Sequence, residues 1–287
     1  LILFLAVIME NQRNRAEGWQ YAKLSGHRNE AKIKNLFDNE EYKNEFSERL
    51  GVTSIESASI GGLHEGDVDC IIGGKTKSKT DLKLTLTDKS RLNFSIKKSD
   101  GGQVFLIGVE RFIDGYEKHY DNIPDNVKRA LRLYFAGDPQ IEEILNNKTY
   151  VGGQTQTLIA YQKRKCRLVK VTLDKYDRSL SDALLQWMKS NIVNITDFCF
   201  AKGLASNPEE WSEYLWFKNV IGERLDEKLY KISDLKNAVA EKADTIVYGT
   251  RTGGSTIQLP FGFVEWHQGK MQFSQKYKKI VTLVESL

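Results

Sequence analysis

Three residues have the types and spacing to act on a phosphate: Asp81, Ser95 and Lys97, in the stretch KTDLKLTLTDKSRLNFSIKK from Lys79 to Lys98. A carboxylate can hold a hard cation, and an ammonium can stabilise negative charge as it develops. A hairpin would bring them together. Leu82, Leu84 and Leu86 alternate with Lys83, Thr85 and Thr87, the period-2 pattern of a half-buried strand with Asp81 at its entrance. Asp88, Lys89 and Ser90 have turn chemistry. Leu92, Phe94 and Ile96 then alternate with Asn93, Ser95 and Lys97 in a second, antiparallel strand. Residues two apart on a strand share a face, so Ser95 and Lys97 stand side by side. The start of one hairpin strand lies across from the end of the other, which carries Asp81 toward both.

A second acid competes for the same role. EGDVDCIIGG holds Asp67 and Asp69, and DVDCII reads as a strand that could itself carry a metal-binding carboxylate. The spacing favours Asp81, because only Asp81 begins the strand that pairs with the Lys97 strand. An acid and a lysine also flank hairpins that do no chemistry, so the spacing alone does not make a site.

Composition narrows the class. The chain has 287 residues, enough for one large domain or a core with an appended lobe. Lys and Arg number 42 against 38 Asp and Glu, a net charge of +4 that permits nucleic acid without demanding it. Basic residues gather in YQKRKCRLVKVTLDK and KMQFSQKYKK. Cys70, Cys166 and Cys199 are far apart and odd in number, which speaks for a reducing cytoplasm and against a disulfide framework. No CxxC or HxxxH spacing offers a zinc site, and His27, His64, His119 and His267 are scattered. Leu1 to Met9 is apolar but far shorter than the roughly 20 residues needed to span a bilayer. It lacks a basic flank and cleavage site, and reads as a translated upstream segment with Met9 as the start.

The flanking pattern predicts a fold of the α/β (α+β) type, a central mixed sheet with helices around it. Asn14 to Leu50 is helical, with Gly26 dividing it so that a second helix opens near His27. Glu30 then falls in its first turn, where the helix dipole favours a carboxylate. Ser99 to Gln103 reads as a glycine-bearing turn, followed by an amphipathic helix through Phe105, Val109, Phe112, Ile113 and Tyr116. Pro124 to Tyr134 is a further helix with Gly137 as its stop, Gln140 to Leu145 a short turn, and Tyr150 to Leu173 an extension of the sheet. Ser181 to Lys189 is helical. Asn207, Pro208 and Glu209 read as a strong helix start, with Trp211, Tyr214, Leu215 and Val220 following. Ser233 to Ala243 is another helix. Thr256 to Trp266 then reads as one strand, HQGK as a turn, and Met271 to Phe273 as a second strand. A division near residue 175 separates residues 1–175, the part with the hairpin, from residues 176–287. Arg251, in the polar segment YGTRTGGS, has the side chain that most often reads guanine through O6 and N7.

GHRNE, GGKTKSKTDLKLTL, FSIKKSDGGQV and YFAGDPQ together resemble the PD-(D/E)XK nucleases, and more narrowly small type II restriction endonucleases that cut short CG-containing sites. The central match runs from Gly26 to Gln140, with weaker similarity in QWMKSN and KMQFSQK. The resemblance implies a restriction-endonuclease-like catalytic core followed by a closely connected DNA-recognition part. It implies Mg²⁺-dependent, sequence-specific hydrolysis of double-stranded DNA. Asp81 would hold the Mg²⁺, the Ile96 backbone carbonyl and Ser95 (directly or through water) would complete its surroundings, Lys97 would orient the nucleophile, and Glu30 would approach the metal or orient the lysine. Ser95 departs from the family pattern: the commonest form has Asp or Glu there, and some members carry Asn or Gln. Lys98 and Gln103 are expected at DNA near the cut, and Arg251, Gln258, Lys270 and Gln272 as further DNA contacts. The same resemblance implies a cytoplasmic protein off the membrane, a cognate DNA methyltransferase as genetic partner, and a monomer or homodimer. Two alternatives share these residues: a repair or recombination nuclease with the same core, and a DNA-binding protein that lost cleavage when Ser95 replaced an acid.

Overall fold

The computed structural model describes residues 15–61, 67–135, 167–222 and 225–286, with side chains from residue 24 onward. Helix α1 (Arg15–Leu36) leads into α2 (Glu40–Leu50), which starts at an Asn39 cap and stops at Gly51 in the left-handed conformation, φ 66°. Strand β1 (Ile55–Ile60), the short pair β2 (Val68–Asp69) and β3 (Lys75–Thr76), the hairpin β4 (Leu82–Leu86) and β5 (Arg91–Lys97), and strand β6 (Gly101–Ile107) follow. Next come α3 (Val109–His119), α4 (Asp125–Phe135), α5 (Lys170–Ser190), α6 (Ile192–Asp197) and a π-helical turn over Phe198–Lys202. Strands β7 (Tyr214–Phe217) and β8 (Lys228–Lys231), helix α7 (Ile232–Glu241), strands β9 (Val247–Tyr248), β10 (Thr256–Leu259), β11 (Gly262–His267) and β12 (Lys270–Lys276), and helix α8 (Tyr277–Val284) complete the order.

The predicted hairpin sits at the centre of a mixed five-stranded sheet, in the order β1-β4-β5-β7-β8. Strand β5 is antiparallel to β4 and parallel to β7. One face of this sheet packs Leu82, Leu84, Phe94, Ile96, Tyr214 and Trp216 against Ile33, Phe37 and Phe46 of the first two helices. Trp216 is fully buried and meets the rings of Phe46 and Phe94. A second sheet, β6-β12-β11-β10-β9, is antiparallel throughout. The larger core joins its inner residues Ile257, Val264, Met271 and Phe273 to α3, α4, α5 and the π-helical turn. Mixed sheet and flanking helices are the α/β class the sequence predicts.

Several elements differ from the reading of the sequence. Helix α1 runs straight through Gly26, because one glycine costs only about 1 kcal/mol in a helix interior. Glu30 is therefore well inside a 22-residue helix and not in a first turn. Gly101, Gly102 and Gln103 do not form the expected turn but begin β6, where they pair with β12. Phe105 is in that strand and not in the helix after it. The Asn207 cap exists, but it closes only a 3₁₀ turn over Pro208–Glu210. Tyr214 to Phe217 is then four consecutive buried residues, which suits a central strand covered on both faces. Thr256 to Trp266 is two strands, Lys170 onward is helix, and a C-terminal helix succeeds β12. Each sheet draws strands from both sides of residue 175, so the two parts share their sheets. The expectations for residues 1–9, His64, Gly137, 140–145, Cys166 and most of 150–173 lie outside the described residues.

Candidate functional site

Continuing the register Leu82↔Phe94 by one step puts Asp81 opposite Ser95. The Asp81 backbone is held on both sides: its N–H donates to the Phe94 carbonyl at 2.8 Å, and its carbonyl accepts from the Gly61 N–H at 3.1 Å. The side chain inherits that placement. Asp81 Oδ2 accepts from the Ile96 N–H at 2.7 Å and lies 3.4 Å from Ser95 Oγ. Lys97 Nζ donates to Ser95 Oγ at 2.8 Å and to the Ile96 carbonyl at 3.0 Å, and stands 3.5 Å from Asp81 Oδ2. Asp81, Ser95 and Lys97 thus converge as the spacing predicts, with the Ile96 backbone between them.

Glu30 joins them from α1. Enclosure and, to a lesser degree, the like charge of Asp81 push its carboxyl up from 4.5 to about 7, while Lys97 and Lys98 pull the other way. Its Oε2 lies 3.4 Å from His27 Nδ1. Glu30, Asp81 and Lys97 keep 16%, 22% and 18% of their side-chain exposure, so the cluster is recessed yet open to solvent.

The hydrogen bonds and the ion pair of Asp81 fall on Oδ2. Two carboxylates and the Ile96 carbonyl form an all-oxygen set, the kind a hard cation takes. The set fits Mg²⁺, which keeps several waters and needs few protein ligands. Among the described residues no group of three His, Cys, Asp or Glu side chains comes together to hold a metal.

The other expected residues are spread over two places. Lys98 donates to Ser25 Oγ on α1 at 2.6 Å, beside the cluster. Gln103, Gln258, Lys270 and Gln272 all fall on the outer face of the second sheet, opposite Ile257, Met271 and Phe273. Gln272 Nε2 is 3.4 Å from Glu265 Oε1 and 3.3 Å from Ser274 Oγ, and Gln258 Nε2 is 3.1 Å from Thr256 Oγ1. Arg251 is exposed in the 3₁₀ turn that precedes that sheet's β10. Asp69, the competing acid, is 76% exposed and paired with Lys75 at 2.7 Å, apart from the cluster. A groove of about 690 Å³ lies at the other end of the hairpin, by Lys89, Arg91 and Asn93, and takes in none of the four converging residues.

One member was missed in the sequence. Lys79 reaches toward the interior, and enclosure pushes its ammonium down to about 7, with Lys97 adding to the effect and Cys199 and Asp81 opposing it. The signal was available: Lys79 and Asp81 are two residues apart and share a face in extended chain.

No family model matches this chain, and no curated protein does. A search of solved structures found a likeness to the MspI restriction endonuclease in complex with its cognate DNA, at a TM-score of 0.43 and 14% identity over 80% of this chain and 76% of that one. At that score and identity the likeness transfers neither a site nor an activity. Among the described residues no helix is long and apolar enough to cross a membrane.

Proposed function

We propose that the chain is a type II restriction endonuclease of the PD-(D/E)XK kind, hydrolysing phosphodiesters of double-stranded DNA at a short site with Mg²⁺. The observation that carries this reading is the convergence of Asp81, Ser95, the Ile96 carbonyl and Lys97 on one hairpin end, with Glu30 electrostatically coupled to it.

Asp81, the Ile96 carbonyl and Glu30 would hold the cation. Bound Mg²⁺ supplies a Lewis acid at the scissile phosphate and a more acidic water. Lys97 orients the attacking water and stabilises the charge gathering on the phosphate oxygens, since its ammonium is pinned between Ser95 Oγ and the Ile96 carbonyl. Ser95, where the usual motif has an acid, fixes Lys97 through its hydroxyl and would complete the surroundings of the cation. Glu30, when ionised, would orient Lys97 or take up a proton from the attacking water. Lys98 serves the backbone near the cut, and Arg251, Gln103, Gln258, Lys270 and Gln272 contact DNA, some reading base edges while others fix the register through phosphates. The reading includes a cytoplasmic location, a cognate DNA methyltransferase as genetic partner, and a monomer or homodimer.

Incubation of plasmid DNA with the protein and Mg²⁺ tests it. A discrete fragment ladder, absent with EDTA, is expected. General nicking or preference for branched DNA points to a repair or recombination nuclease, and binding without cutting points to a protein that lost cleavage at Ser95; either result overturns the restriction reading.

A further inference from the structure

We propose that Lys79 is a positioning residue, tying the strand entrance that carries Asp81 to a bulge in β6 and so holding the two sheets in one fixed relation. The bulge is visible in the register. Phe273 pairs with Phe105 and Ser274 with Gln103, which leaves Val104 as the extra residue. A bulge takes one residue out of the ladder. Lys79 Nζ donates to the Val104 carbonyl at 2.8 Å and lies 3.6 Å over the Phe105 ring. The lysine thus supplies a partner for a carbonyl at the bulge.

The surroundings are built for that side chain. Gly203 takes φ +55°, and a Cβ on it would approach Lys79 Cγ to 3.1 Å and Cε to 3.2 Å. The neighbours of Lys79 point the other way: Ser78 Oγ and Thr80 Oγ1 donate to the Glu210 carbonyl at 2.9 and 3.1 Å. The approach to Asp81 is therefore bolted alternately to the turn before β7 and to β6. Burying an amine costs free energy unless it is well bonded, and an apolar side chain of similar volume is often no less stable. What Lys79 adds is register between sheets. The first sheet carries Asp81 and Lys97, and the second carries Gln103, Gln258, Lys270 and Gln272, so their relation decides whether a duplex gripped by one presents its phosphate to the other. This last step rests on the nuclease reading; the tether does not.

Lys79→Met tests both on the full chain. In hydrogen exchange, the amides of residues 102–106 and of 78–82 should lose protection together while the melting temperature holds. In single-turnover cutting with Mg²⁺, the rate should fall about tenfold to a hundredfold, as expected for a misplaced reacting group, with the DNA Kd within about threefold of wild type. A purely structural role would move cutting and melting temperature together. Unchanged exchange in either segment, or unchanged cutting, overturns the proposal. If Lys79→Met does not fold, Lys79→Leu removes the same donor with a shorter apolar side chain and should give the same paired loss of protection; wild-type exchange there overturns it. A wild-type protein that cuts no DNA sinks the nuclease reading, and the exchange result still decides on the tether.

Discussion

Replacing Glu30 by Gln should make the protein more stable and less active, in a pH-dependent way. Enclosure, and then the like charge of Asp81, push the Glu30 carboxyl up to about 7 in the fold from an ordinary 4.5. The folded state therefore holds its proton more tightly, and the Glu30 contribution to stability is fully present below pH 4.5 and lost as pH rises through 7. At about 1.4 kcal/mol per pH unit, the gap between the two values is worth at most about 3 kcal/mol above pH 7. Gln removes the ionisation while keeping shape. Glu30→Gln should then match wild type near pH 4.5 and exceed it by up to about 3 kcal/mol at pH 8, a rise of about 5–10 °C in melting temperature for a chain of this size. Thermal unfolding at the two pH values, without divalent ions, reads this directly. Mg²⁺ should raise the melting temperature of wild type more than that of the variant, and cutting by the variant should fall about tenfold to a hundredfold. A melting-temperature difference that is the same at both pH values refutes the reasoning, because it would mean that Glu30 is not ionising in an enclosed, negatively charged setting.

Lys97→Ala should retain DNA binding in a gel shift while single-turnover cutting falls about a hundredfold to a thousandfold; wild-type cutting would show Lys97 to be misassigned. Ser95→Asp sets a carboxylate directly opposite Asp81, which should cost about 0.2–1 kcal/mol without metal and lower the Mg²⁺ concentration needed for cutting. An unchanged Mg²⁺ requirement would argue that position 95 does not face the cation. Gly262→Ala would place a Cβ 1.9 Å from the Ser274 carbonyl oxygen, a backbone atom that cannot rotate away. Its denaturant midpoint should drop by the equivalent of at least about 2 kcal/mol, and a wild-type midpoint would mean that the β11–β12 pair is spaced differently.

What could be read from the chain was what it encodes locally. The hairpin follows from five alternating residues, a turn and an alternating return, all within Leu82 to Lys97, and the structure forms both strands. Strand β7 could not be found this way. YLWF at Tyr214–Phe217 has no alternation because both faces are covered, and its parallel pairing with β5 links residues more than a hundred positions apart. Phe105 misled for a related reason. Its spacing from Val109 and Phe112 fits a helix, but its partner Phe273 comes from the far end of the chain. Gly101 and Gly102 likewise look like a turn until β12 pairs with them. Gln103 and Gln272 are far apart in the chain, and only tertiary pairing puts them on one face.

The same contrast explains why the cluster was legible while its support was not. Whether Asp81 faces Ser95 is decided at the opposite end of the hairpin, about five residues or roughly 17 Å away at strand rise. There Asp88 Oδ1 accepts from the Ser90 N–H at 2.9 Å and from its hydroxyl at 2.6 Å, the Leu86 N–H donates to the Ser90 carbonyl at 2.9 Å, and Lys89 takes φ 70°. A slip of one residue would turn every side chain of the strand to its other face, moving Leu82 and Leu84 out of the core. Burial of those leucines thus fixes the register, and the register fixes the acid. The sequence shows both, since both are alternation. It does not show Val104 as a bulge or Gly203 beside Lys79, because neither feature exists until the second sheet is folded against the first. Asp81, Ser95 and Lys97 are brought together by the hairpin alone, whereas Glu30 and the direction in which a duplex would meet the cluster are set by contacts between distant segments.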